Sequence, residues 1–205
     1  MPTPDRPSAV QRTPFDFTAR MRAVCGDMIV RLPELGHIDL DRVLVCFRQA
    51  RKRVPHGMFA SLTPLRFAGG SLTTIRGGKP LAIQRLVDSA GREMLYVLGF
   101  YLPRFMDLDF REKLITIVHE LWHISPAFDG DIRRHAGRCF AHTGSQKQYD
   151  AEMDRLAQRW LSLGPSEALW GFLSGGVEDL LARHGRIVGV KVPRPRLIPL
   201  AAARN

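Results

Sequence analysis

The chain has 205 residues, 45% hydrophobic and 24% charged, with a formal net charge of +10 and a pI near 10.4. That length suffices for one domain with a good core, and no apolar run approaches the roughly 18–20 residues of a membrane span. The cysteines Cys25, Cys46 and Cys139 form no Cys-x-x-Cys pair, which excludes a zinc ribbon.

A sparse, odd cysteine count suits free thiols in a reducing compartment, so a cytoplasmic location is expected. The basic excess admits a polyanionic partner, DNA among them, and equally a merely arginine-rich surface. Its residues gather at Arg48 with Arg51, Lys52 and Arg53, at Arg133, Arg134 and Arg138, and from Arg183 to Arg196.

Residues 1–14 hold three prolines before Pro14 and lack the apolar core of a signal peptide, so a disordered lead-in is expected. From Phe15 to Leu32 the spacing of Phe17, Met21, Val24, Met28 and Ile29 predicts a helix, stopped by Pro33 and Gly36. Val43–Phe47 reads as a short buried strand. Met58–Phe67 reads as a second, interrupted at Pro64, with turns at Gly69-Gly70 and Gly77-Gly78. Glu93–Leu102 is the best strand candidate, closed by Pro103.

Asp109, with Glu112 three residues on, is a helix N-cap signature. The helix it opens runs to Ile124 and packs through Leu114, Ile117, Val118 and Leu121, with Ser125-Pro126 closing it. Residues 127–143 are charged and aperiodic and read as a loop. A second long helix covers Gln146–Leu163, with Met153, Leu156, Trp160 and Leu163 on its core face. Shorter helices follow at Ser166–Leu173 and after Gly175-Gly176, ending near His184. Ile187–Val192 reads as a last strand. The expected class is α+β: a small sheet of three or more strands, then two helices.

Within the Asp109 helix lies His119-Glu120-Leu121-Trp122-His123. Residues four apart share a helix face, so two imidazoles can hold one metal ion with Glu120 beside it. The implied chemistry is hydrolysis by a zinc-activated water, Glu120 acting as general base. A catalytic zinc takes three protein ligands and keeps an open position. Four residues are candidates for the third: His142 first, at the start of the second long helix; then His135, among arginines; then Asp129; then Glu152. Tyr149 could donate to a developing oxyanion, although a half-buried tyrosine is the simpler reading. Trp122 reads as core or pocket wall. His37, His56 and His184 lie near turns and read as exposed. Asp129-Gly130-Asp131 has too few carboxylates for a calcium cage, and pairing with nearby arginines is the simpler expectation.

The stretch from His119 to Arg134, continuing through Ala141-His-Thr-Gly-Ser-Gln-Lys-Gln-Tyr-Asp150, resembles phage-type metallopeptidases. These are similar to the SprT-like zincins, which include the Spartan DNA–protein crosslink proteases. The resemblance covers residues 15–163. It implies a zincin-like fold, His119 and His123 as zinc ligands and Glu120 as base. For the third ligand, His142-Thr-Gly with Tyr149 beyond and His135-Ala-Gly with Phe140 both fit the pattern loosely. In neither does the glycine follow directly.

The expectation is a zinc metallopeptidase domain at 15–163, with residues 164–205 as helices, a strand and a basic tail packed on or next to it. The substrate would be protein or peptide, with no membrane partner. The alternative is a non-catalytic nucleic-acid-associated or phage structural module with a structural metal.

Overall fold

The computed structural model describes residues 12–50, 57–134 and 146–200. The strands among them are β1 (Phe15–Asp16), β2 (Val43–Gln49), β3 (Ala60–Pro64), β4 (Thr73–Arg76), β5 (Lys79–Ile83), β6 (Tyr96–Leu102), β7 (Ile187–Val188) and β8 (Leu197–Pro199). The helices are α1 (Phe17–Arg31), α2 (Arg104–Asp107), α3 (Phe110–Trp122), α4 (Gln146–Ser162), α5 (Glu167–Trp170) and α6 (Val177–His184). The class is mixed α+β, as expected from the sequence. No helix among the described residues is long and apolar enough to cross a membrane. The lead-in expected at 1–14 and the basic run Arg51–Arg53 lie wholly or largely outside the described residues.

β6 is the organising strand. It pairs in parallel with β2 and antiparallel with β3, in the order β2-β6-β3. Side chains alternate across a strand, so the register divides the sheet into two faces. Tyr96, Leu98, Phe100 and Leu102 lie on one face beside Val43, Val45, Phe47 and Ala60, and join the main core with α1 and α3. Val97, Gly99 and Tyr101 take the other face beside Leu44, Cys46, Arg48, Ser61 and Thr63. A smaller core of Cys46, Leu65, Met94 and Val97 covers part of that face.

α1 begins two residues later than the periodicity predicts, because Asp16 caps it by accepting from Ala19 N–H at 2.9 Å. Phe17, fully buried, meets Phe47, Phe100 and Phe105 edge-on at 6.1–6.4 Å. In α3 the Asp109–Glu112 capping box forms in full, and Leu114, Ile117, Val118 and Leu121 are buried as the stripe predicts. Lys113 is buried too; its ammonium donates to Leu173 O at 2.8 Å and Gly175 O at 2.7 Å, tying α3 to the segment before α6.

Several expectations need correction. The sequence reading places three strands before α3; β4 and β5 add a hairpin. Its turn is Gly77-Gly78, both residues at positive φ (56° and 72°), which glycine tolerates without strain. Leu163 is 44% exposed and follows α4, so it is not part of the core face that Met153, Leu156 and Trp160 form. Of the expected strand at 187–192, only Ile187 and Val188 are strand, paired in parallel with β1. β8 instead extends the β4–β5 sheet. The segment expected to pack on or next to the domain thus contributes strands to two of its sheets.

Candidate metal centre

α3 lies against the sheet face that carries Leu98 and Phe100 and makes extensive contact with β3 and with α4. Its last turn carries the motif. His119 and Glu120 are helical, and His123 is the C-cap residue, still in right-handed helical geometry at φ −65° and ψ −15°. The four-residue spacing therefore holds to the end of the helix. His119 Nε2 and His123 Nε2 face each other at 2.9 Å. Two nitrogens on one tetrahedral zinc, each at 2.0–2.1 Å, stand about 3.3 Å apart. A small opening of the pair would accommodate such an ion, for which two neutral imidazoles are suitable donors.

Glu120 points to the sheet. One carboxylate oxygen accepts from Leu62 N–H at 2.6 Å. β3 is the outer strand of its sheet, and Tyr101 N donates to Phe59 O while Leu65 N donates to Leu95 O. Leu62 therefore presents its N–H to the free side, where Glu120 takes it. Glu120 is 9% exposed. Burial pushes its carboxyl up to about 7, against the opposing pull of the Leu62 N–H. A group poised there can both accept and return a proton near neutrality.

Tyr149 of α4 closes the third side. It is buried, its ring 5.2 Å from that of His119 at a steep angle and stacked at 6.2 Å on His123. Burial, and then the Glu120 charge, raise its phenol pKa, so the hydroxyl keeps its proton. The half-buried tyrosine of the simpler reading is thus fully buried and set against both imidazoles.

The loop after α3 is braced from both ends. Arg133 N donates to His123 O at 2.7 Å, its Nε donates to Trp122 O at 2.8 Å, and its guanidinium lies 4.1 Å from the Trp122 ring centre. Two carbonyls at the α3 terminus are thereby satisfied. Asp131, buried, accepts from Gly69 N and Ile132 N and grips Arg134 through both oxygens. Burial works to raise its pKa, but these partners outweigh it and hold it below the usual carboxylate range. Asp-Gly-Asp therefore serves the fold by pairing with an arginine. Tyr96 OH donates to Asp131 O at 2.9 Å and accepts from Gly130 N at 3.0 Å. Gly130, at φ 87°, has no alternative: a Cβ there would stand 2.5 Å from Arg66 Cγ.

Among the candidates for a third ligand, His142 and His135 lie outside the described residues. Asp129 packs against Gly70 and accepts from Asp131 N at 3.1 Å. Glu152 is gripped by Arg155 at 2.7 and 2.9 Å. Among the described residues, no third His, Cys, Asp or Glu joins the histidine pair as a metal-holding group.

His37, read from sequence as exposed, is partly buried; burial and then the Arg133 charge hold its imidazole below the usual value. His184 is also partly buried, its ring 5.2 Å from Phe15. The sequence gives no sign of Leu62, Tyr96 or Arg133 as partners of the motif.

Comparisons with family models, curated proteins and solved structures return no match. The residues at the end of α3 are therefore what the chemistry must be argued from.

Proposed function

We propose that the chain is a zinc-dependent metallopeptidase of zincin-like architecture, similar to the SprT-like group. The observation that carries this is the geometry at the end of α3. Two Nε2 atoms face each other at 2.9 Å, and the carboxyl between them in sequence is buried and held by Leu62 N–H. The sheet, active helix and supporting helix come in the order such enzymes use, which is an analogy of fold.

His119 and His123 would hold the ion, and His142, ahead of His135, would supply a third ligand. When bound, zinc supplies Lewis acidity, bringing a water's pKa to about 7. Glu120 takes the proton from the attacking water and returns it to the leaving amine. Leu62 N–H keeps one Glu120 oxygen engaged and so fixes the other's direction. Tyr149, protonated and beside His119, donates to the oxyanion of the attacked carbonyl. The substrate is a protein or peptide.

Metal analysis with a proteolysis assay on an unfolded protein tests the reading. Wild type should carry one zinc and cleave. Glu120→Gln should keep the zinc and lose cleavage. Zinc loss in only one of His142→Ala and His135→Ala identifies the third ligand. A wild type that takes up no zinc, or an unimpaired Glu120→Gln, sinks the reading.

A further inference from the structure

The face of the sheet turned away from α3 carries a second constellation. In the strand register Arg48 of β2 lies beside Tyr101 of β6, and Cys46, Gly99 and Ser61 form the neighbouring row. Gly99 makes room here: a Cβ would stand 3.0 Å from Arg48 Nε. The Arg48 guanidinium carbon lies 6.0 Å from the Tyr101 ring centre. The segment after β7 approaches the same face. Phe47 N donates to Val190 O, and Arg194 Nη2 donates to Tyr101 OH at 3.2 Å.

Among the described residues, Nε and Nη2 of Arg48, both buried, meet no oxygen acceptor; the Cys46 thiol, a weak acceptor, lies alongside. That edge of the guanidinium is the one this chain uses to grip oxyanions elsewhere. Arg111 holds Asp154 with it, Arg134 holds Asp131 and Arg155 holds Glu152, all at 2.7–2.9 Å. In Arg48 the same fork is formed, and among the described residues no oxyanion occupies it. Buried donors left unmet are costly, more so when charged, and each one asks for an explanation. Among the described residues no carboxylate pairs with Arg48 or Arg194.

We propose that Arg48, with Arg194, Tyr101 and Ser61, forms a binding site for a phosphate group on the sheet face opposite the candidate metal centre. A planar fork suits two oxygens of one anion. A second guanidinium and two hydroxyls offer more donors than a carboxylate can use, which favours a tetrahedral anion. The two arginine charges make the field at the site positive. Burial works to raise the Tyr101 phenol, yet the hydrogen bonds with Ser61 and Arg194 and the two arginine charges hold it below its ordinary value. Arg194 is exposed and is the side chain at this site free to move aside for an entering anion. The phosphate is either free or part of a nucleic-acid backbone.

Calorimetric titration of the full chain at fixed ionic strength tests this, with inorganic phosphate in one arm and a short single-stranded oligonucleotide in the other. Arg48→Lys keeps the charge and loses the fork; it should weaken binding at least tenfold. Arg194→Ala, at an exposed position, should weaken it severalfold and stands in if the first variant does not fold. Glu120→Gln should bind as wild type does, which separates this site from the metal centre. Loss confined to the oligonucleotide arm identifies backbone phosphate as the ligand, and loss confined to the phosphate arm identifies the free anion. Wild type that binds neither probe, or folded Arg48 and Arg194 variants that bind like wild type, overturns the proposal.

Discussion

Glu120 shows how much a single side chain can owe to parts of the chain far from it. Its place between two histidines is legible in five residues, because helical spacing is a local property. Its hydrogen bond to Leu62 is not, since that partner is 58 positions away and reaches it only through the order β2-β6-β3. Glu120→Gln retains an oxygen for Leu62 N–H and removes a buried charge. It should lower kcat by about 10²- to 10⁴-fold with no loss of thermal stability, measured by cleavage rate and melting temperature together. Tyr149→Phe removes only the hydroxyl from a ring packed on both imidazoles. On the proposed mechanism it should lower kcat about 10²-fold with KM nearly unchanged. An equal loss in the KM term alone would assign Tyr149 to substrate binding. The third ligand is not fixed by the five residues for a related reason: four candidates, His142, His135 and Asp129 in a charged loop and Glu152 on α4, follow the motif at different spacings.

At the scale of elements, legibility follows how local the deciding signal is. α3 is announced by its capping box and by a clear apolar stripe, and both are present. β4 and β5 escape notice because they are short, with β4 largely exposed and β5 mostly half-buried, and show no apolar alternation; only their Gly-Gly turn marks them. Leu163 fits the helical period but falls after the last turn of α4. Lys113 breaks the pattern in the opposite sense, as a charged residue on a buried face. Its partners are two carbonyls beyond α5, which periodicity cannot reveal. Lys113→Met fills the same space and leaves both carbonyls without their donor. It should cost about 1–3 kcal/mol in a denaturant melt, whereas Asp109→Ala, which removes only the cap of α3, should cost about 1 kcal/mol.

Over the whole molecule, arginine–carboxylate pairs clamp the loops to the sheet. Glu93 takes Arg66 at 2.6 Å and Arg85 at 2.7 Å, and Arg66 in turn packs on Gly130 of the loop that follows α3. The Arg66 hydrogen bond is the first cause that holds the Glu93 carboxyl below its usual value, burial opposing it. A carboxylate with a depressed folded pKa adds stability above its unfolded pKa of about 4.5. That stability is lost as pH falls through the lower folded value. Melting temperature should therefore fall as the solution is acidified below pH 4.5, and Glu93→Gln should flatten that decline while lowering the plateau near pH 7. A Glu93→Gln melt that tracks wild type at every pH would exclude the clamp.

The pairing of β1 with β7 also sets an order of events. Phe15 lies opposite Ile187, and Val190 N donates to Thr18 Oγ across 172 positions of sequence. α1 and the first strand are made before these closing partners, which follow 172 positions later in sequence. Such contacts carry a high loop-closure cost and slow the final step. Until then Phe15 lacks Ile187 opposite it and the Phe172 and His184 rings that pack on its own.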